Sequence, residues 1–484
     1  MMRNSVNALA TRTVAVAALC ALSAMPLIAE DGFGFDSAGD SGSASVSLPV
    51  GAKIGGSLTA GATRILSATD TEKEIRAAML GSLVSGKIDI DATGANADAH
   101  VGLGLSVPAD AATSPFALRE AYLRAYFGSL DLEGGLRKLT WGKADSQGPL
   151  DVVNPLDLSD LTVTDSLDRK IARPMLHASY GIGEFTKLEG VFVPSFVGHK
   201  IAESGPWVPY QVKAMPGKIA EAGVEFGKTV AASIPLPPGV SPIFKWSQDP
   251  MPSTSTLENW QGGARVTTTI ASNDIGFQYY YGLLPRPAAA IESVTELPSM
   301  ANPAVVPSLT ITVKPTYNRY QQVGADWAAV IAGFNARAEL AANITEDLAG
   351  TDAAVYNPSV LWSLGFDRTL VSDVTLNLQG AGSVRLKQDE VSKSKFDIEN
   401  GKKLTHTTVT GVLSRKFLRD ELEAKCTGLW GIEDADWLVM PALVWTKGDV
   451  STELCAGFFG GASEGELGEY ANNSWAKLAI TCSF

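Results

Sequence analysis

The chain has 484 residues, of which 47 are glycine and only 19% are charged, and its formal net charge is −13. So acidic a balance argues against nucleic acid as a partner. After residue 29 no run of about 18 consecutive apolar residues occurs, which excludes helical membrane spans, and a length that would suit about three soluble domains shows no composition break to separate them.

Residues 1–29 read as a secretion signal. Arg3 and Arg12 supply the positive start, TVAVAALCALSAM is the apolar core, and Leu27-Ile28-Ala29 before Glu30 forms an imperfect cleavage site because Leu27 is large for its position. Residues 30–484 are then expected to form one unit, and losing two arginines and no acid moves the charge from −13 to −15. Cys20 invites a lipoprotein reading, but Leu19 is a poor residue before a lipidated cysteine and the apolar run continues past it. Residues 30–55, glycine-rich at their start, fit either strands or an amino-terminal plug.

The repeating unit that follows is a strand of about ten residues, a short turn and a return strand, as a tilted membrane strand requires. Stretches 44–66 and 75–107 are expected to supply about four strands. In LREAYLRAYFGSLDLEGGLRKLTWG, Ala121, Leu123, Ala125 and Phe127 fall on one face and Glu120, Tyr122, Arg124 and Tyr126 on the other, with Gly128, Ser129 and Asp131 at the reversal. Similar pairs recur at 258–271 with 274–284, 323–333 with 335–346, 357–368 with 373–385, 404–416 with 420–432, and 436–447 with 450–461. The alternation predicts an all-β, antiparallel, up-and-down transmembrane barrel of about 18 strands, within a range of 16 to 20.

Three segments break the rhythm. Residues 143–174 carry acids at 145, 151, 157, 160, 165 and 168 and bases at Arg169, Lys170 and Arg173, while 194–257 hold ten of the 25 prolines and 285–308 five more. Prolines at this density do not sit in a paired ladder, so long extracellular loops are expected, one of which folds inward.

The last ten residues, WAKLAITCSF, place Leu478, Ile480, Cys482 and Phe484 on one face and Lys477, Ala479, Thr481 and Ser483 on the other. A strand of this pattern ending on Phe resembles the closing strand of a bacterial outer-membrane barrel. The resemblance implies the outer membrane as location, and its lipid and the barrel-assembly machinery as partners. Trp430, Trp437, Trp445 and Trp475 near strand ends are expected in an interfacial aromatic girdle, with ordinary core packing as the other reading. Cys426 and Cys482 fall on the lipid face and Cys455 on the inner face, so three free thiols are expected.

WGKADSQGPLDVVNPLDLSD, from Trp141 to Asp160, is similar to the Trp-Gly-x-x-Asp then Asn-Pro-x-Asp signature of an uncharacterised family of porin-like outer-membrane barrels. GARVTTTIASNDIGFQYYYG at 263–282, YNRYQQVGADW at 317–327, RAEL at 337–340, VLWSLGFDRTL at 360–370, NLQ at 377–379 and GEYANNSWAKLAITCSF at the end follow in order. The resemblance covers residues 115 to 484 and implies a barrel with a transport role.

The functional surface is then the lumen. Candidate lumen or constriction residues are Glu120, Arg124, Arg137, Asp157, Asp160, Arg169, Lys170, Arg173, Arg265, Arg337, Glu339 and Arg385, with the 143–174 loop as constriction. Both signs of charge fit a polar channel with a transverse field; pairing of Arg337 with Glu339, or of Arg124 with Glu120, as wall supports is the competing reading. Gly461-Ala462-Ser463-Glu464-Gly465 matches a nucleophile elbow but has no histidine after it. The four histidines show no ligand spacing, so neither an enzyme nor a metal or other cofactor is expected. A channel for small polar solutes leads, ahead of a surface-interaction or adhesin platform. A transporter of hydrophobic compounds has one hint, the strand 436–447, which is apolar on both faces.

Overall fold

A computed structural model describes residues 51–66, 79–80, 82–108, 115–145, 148–234, 239–298, 302, 304–370, 373–394 and 396–484, together with the two-residue strand Val46–Ser47. The expected secretion signal at 1–29, with Cys20, lies outside the described residues. Eighteen long strands form the wall. In chain order they begin with β1 (Ala52–Ile65), β2 (Ser82–Thr93), β3 (Ala97–Pro108), β4 (Phe116–Phe127), β5 (Leu130–Arg137) and β6 (Arg173–Ile182). Next come β7 (Thr186–Val193), β8 (Gln261–Ile270), β9 (Asn273–Leu283), β10 (Arg319–Ile331), β11 (Phe334–Thr345) and β12 (Ser359–Thr369). The ring ends with β13 (Val374–Arg385), β14 (Thr405–Phe417), β15 (Leu422–Gly431), β16 (Asp436–Lys447), β17 (Val450–Gly461) and β18 (Trp475–Ser483).

Every strand pairs antiparallel with its sequence neighbours, and β18 returns to β1 in the register Ser57 to Ser483 through Ile65 to Trp475. Closure removes the sheet edges that a bilayer would leave unsatisfied. The last residue takes part: Phe484 and Gly56 exchange two backbone hydrogen bonds of 2.9 Å. Its ring lies over Gly56, where an added Cβ would come within 3.0 Å of it.

Apolar side chains point outward. Leu123, Phe127 and Leu176 are more than 60% exposed on a surface that only lipid can cover. On β16 the outward row is Trp437, Val439, Pro441, Leu443 and Trp445, all exposed. Eight residues separate its two tryptophans, which at about 3.3 Å per residue and a tilt near 40° spans roughly 20 Å, close to the height of a lipid-facing band. Trp430 faces Trp437 on β15. The chain is therefore a transmembrane barrel of the outer-membrane type, with the short turns on the periplasmic side. Trp475 departs from the girdle expectation: it points inward and is fully buried beside Trp207, Phe459 and Tyr470.

Cys426, Cys455 and Cys482 are free, with Cys426 exposed on the outside and Cys455 buried on the inside. The amino-terminal stretches contribute three long strands rather than four, and the hairpin β6–β7 accounts for the difference. Its alternation is blurred because Met175, Val191 and Val193 point inward into an apolar cluster while Leu176 and Leu188 face lipid.

The proline-rich segments are loops between barrel strands, yet they carry order of their own. A helix, Tyr210–Ser233, with Pro216 inside it, packs Ile219, Ala222 and Phe226 on a three-stranded sheet of Ile243–Gln248, Ser308–Thr316 and Ala288–Glu296. Pro315 sits in the middle strand beyond the end of its pairing with Ile243–Gln248, where no ladder partner needs its missing N–H.

Candidate functional site: a loop across the lumen

The loop between β5 and β6, residues 138–172, enters the barrel. One limb docks on β9–β13. Glu339, 3% exposed on β11, accepts backbone N–H bonds from Lys143, from Ala144 at 2.8 Å and from Leu150 at 3.2 Å. Gln278 and Gln322 donate to the carbonyls of Leu150 and Pro149 at 2.9 and 3.0 Å. Asp145 takes Arg337 at 2.7 Å and the amide of Asn377 at 2.7 Å. Glycines make this approach sterically feasible: a Cβ at Gly148 would lie 2.3 Å from the Glu339 carboxylate, and one at Gly324 would lie 2.2 Å from Leu150.

The other limb, with the short helix Ser166–Arg169, reaches the opposite wall. Asp168 holds Lys87 of β2 at 2.6 Å and Arg119 of β4 at 3.5 Å, and Lys138 donates to the carbonyl of Leu167 at 2.7 Å. Strands β2 and β11, which the two limbs contact through Lys87 and Glu339, stand nine places apart in a ring of eighteen. The loop therefore crosses a diameter, about 35 Å for this strand number.

The two arcs it separates differ. Each strand from β5 to β13 carries a polar inward residue that is buried, among them Glu133, His177, Glu189, Arg265, Asp326, Ser363 and Gln379. Tyr280, Tyr320, Trp141 and Val153 fill the space above them. Along β14–β18 and β1 the inward polar residues Thr408, Thr410, Glu423, Glu453, Lys477, Thr481 and Thr59 stay half-buried, while Asp436 and Thr63, toward the extracellular ends of β16 and β1, are buried. Glu453 and Lys477 pair at 2.8 Å with about a third of each side chain exposed.

The twelve residues singled out from sequence divide accordingly. Arg337 and Glu339 are brought together with the loop, although their partners are Asp145 and backbone N–H groups rather than each other. Glu120 accepts from Lys138 N–H at 2.8 Å, and Arg124 and Arg137 both pair with Glu133. Arg265 is 5% exposed and locked to Asp326 at 2.5 Å. Arg385 sits at the extracellular rim, bound to Glu399 at 3.0 Å.

The expected basic cluster does not face the lumen. Lys170 is 4% exposed and staples the loop to itself through Asp151 at 2.7 Å and Thr140 at 2.6 Å; Arg173 is 1% exposed and donates to the Ser195 carbonyl; Arg169 donates to the Val163 carbonyl at 2.7 Å. A buried cation needs polar partners, and these three are spent on holding loops, Arg169 and Lys170 the 138–172 loop and Arg173 the 194–260 loop. Asp160 caps the Thr162 N–H at 2.9 Å, and Asp157 binds Lys200 at 2.8 Å, joining this loop to the next. Lys87 and Arg119 were missed, although KIDIDA alternates Lys87, Asp89 and Asp91 with apolar residues.

The β7–β8 loop, 194–260, reaches across to the β17–β18 loop, where Asn473 donates to the Pro206 carbonyl at 2.7 Å, and is tied to the lumen loop by His199, whose Nδ1 accepts the Leu156 N–H at 2.9 Å. Burial, aided by Arg286, pushes His199 down from 6.5 to about 4. Because the undocked imidazole binds a proton more readily, docking weakens as pH falls from 6.5 to about 4 and levels off below. Hydrogen exchange at 194–209, corrected for its intrinsic pH dependence, should accelerate over that window, and His199→Gln should remove the change; protection independent of pH in the unsubstituted protein would refute the link.

No model of a known protein family matches the sequence, and no curated protein does. Several solved structures are similar to the chain. OccAB4 of Acinetobacter baumannii has 9% identity and a TM-score of 0.47, over 90% of this chain and 98% of that one. The outer membrane protein OpdK of Pseudomonas aeruginosa has 10% identity and a TM-score of 0.46 over the same shares. Wzi, an outer membrane protein of Escherichia coli involved in capsule assembly, has 10% identity and a TM-score of 0.44, over 90% of this chain and 85% of that one.

Proposed function

We propose that the protein is a passive, non-enzymatic outer-membrane channel for small polar or charged solutes, delivered by a secretion signal at residues 1–29. The observation that carries the reading is the diametric loop: it buries the polar wall of one arc and leaves the other half-exposed. That asymmetry supports an eccentric water path between the loop and β14–β18 with β1. Asp145, Asp168, Lys87, Arg119 and Arg337 edge this path with both signs of charge, which supports discrimination by transverse field rather than by a ring of one sign.

Reversal potentials in a planar bilayer under a salt gradient test the assignment. Lys87→Glu with Arg119→Glu should raise cation over anion permeability by about twofold or more, the scale expected of charges at a partly solvated constriction. Arg169→Gln should leave the ratio unchanged. The opposite ranking would place the constriction elsewhere. A second reading, an interaction platform, draws support from the folded helix and sheet within the extracellular loops; deletion of 210–248 that spares conductance but abolishes a surface interaction would favour it.

A further inference from the structure

Proline inside a closed barrel creates a local edge, because its nitrogen donates nothing to the neighbouring strand. Pro441 lies midway along β16. The ladder to β17 joins Asp436–Val439 to Phe458–Gly461 and Ala442–Lys447 to Val450–Cys455, in one register. No pairing joins Met440 and Pro441 to Ala456 and Gly457. Ala456 and Gly457, opposite the break, are small, and the side chain that lies over its inner face is the indole of Trp475.

The inner wall at this point is unlike the rest of the lumen. Leu438, Met440 and Ala442 on β16, with Cys455 and Phe459 on β17 and Trp475 on β18, make an apolar stripe, covered at the mouth by Trp207 and Tyr470. Trp207 and Phe459 ring centres are 5.9 Å apart. Toward the periplasm the stripe ends at the Glu453–Lys477 pair. An apolar molecule beneath Trp207 thus meets charge below and, beside it, the stretch of the β16–β17 ladder that lacks its hydrogen bond. The indole of Trp475 lies against Gly457, where an added Cβ would come within 2.4 Å of Nε1. The Nε1 groups of Trp475 and Trp207 are buried without an acceptor, two donors in an apolar cluster suited to a ligand with a hydrogen-bond acceptor.

We propose that the seam between β16 and β17 at Pro441 is a lateral passage. Through it a slender apolar solute bearing a hydrogen-bond acceptor, an alkyl chain or single ring, moves between the Trp207-covered stripe and the bilayer. The passage is separate from the polar path, which follows Glu453, Lys477 and the threonines below.

A photoreactive apolar probe, an alkyl diazirine carrying one carbonyl, dissolved in the lipid of vesicles that hold the reconstituted full-length barrel, tests this. After illumination, mass spectrometry should find adducts on inward Met440 and Phe459 as well as on outward Val439 and Leu443. Pro441→Val restores the missing N–H on a lipid-facing position, and should cut inward labelling at least fivefold with outward labelling unchanged. Trp207→Ala should leave outward labelling as it is and change inward labelling alone. Inward residues unlabelled in the unsubstituted protein, or labelled equally in Pro441→Val, would overturn the proposal. Ion conductance measured on the same samples reports on the polar channel independently, so failure of one leaves the other readable.

Discussion

Replacing Glu339 by alanine should release the lumen loop and raise single-channel conductance about twofold or more, with added current noise. The carboxylate is buried on β11 and accepts three backbone N–H groups of the loop. Hydrogen bonds to a charged acceptor contribute roughly 1.5–3 kcal/mol each. Their joint loss, with three buried donors left unpaired, exceeds what the remaining contacts of Asp145 and Leu150 replace. Gly148→Ala reaches the same state by another route, since its Cβ would sit 2.3 Å from a Glu339 oxygen. Both variants keep the barrel wall, so heat-modifiable gel mobility should stay that of the folded protein. Conductance equal to that of the unsubstituted channel in both would show that the loop does not limit flow.

Asp326→Ala should destabilise the barrel by about 3–5 kcal/mol, the usual cost of stranding one member of a buried ion pair. Asp326 has no exposed side-chain surface, and Arg265, 5% exposed, keeps only its 2.8 Å bond to Gln278 once the carboxylate is gone. Arg265→Met combined with Asp326→Leu should recover most of the loss, because the desolvation penalty of both charges disappears together. Urea-induced unfolding from lipid vesicles measures both. A single variant within about 0.5 kcal/mol of the parent would mean that water reaches Arg265, contrary to the packing described.

The barrel was readable from period-two alternation because its two faces meet different solvents: on β4, Leu123 and Phe127 lie against lipid while Glu120 and Arg124 face inward. Legibility failed where that contrast failed. In β6–β7 inward Met175 and Val191 are as apolar as outward Leu176 and Leu188, since a loop rather than water fills that arc. The same loop explains the misreading of Arg169, Lys170 and Arg173. A run of bases in a loop reads as a solvated patch, and only the three-dimensional paths of 138–172 and 194–260 reveal Asp151, Thr140 and the Val163 and Ser195 carbonyls as their partners. Glu339 and Arg337 were recognised as inward residues, yet their role as anchors depends on contacts nearly 200 positions away in sequence, which no local pattern encodes. Trp475 departs from the girdle for a similar reason: it is one residue out of phase with the lipid-facing row Leu478, Ile480 and Cys482, and the cluster that receives it joins Phe459 of β17 to Trp207 and Tyr470 from two loops.

Single-channel recording of the refolded protein in a planar bilayer tests the central claim most directly. The account predicts stable, uniform steps with a definable ion preference that Lys87→Glu with Arg119→Glu shifts toward cations. Electrical silence from protein that shows folded gel mobility would contradict it.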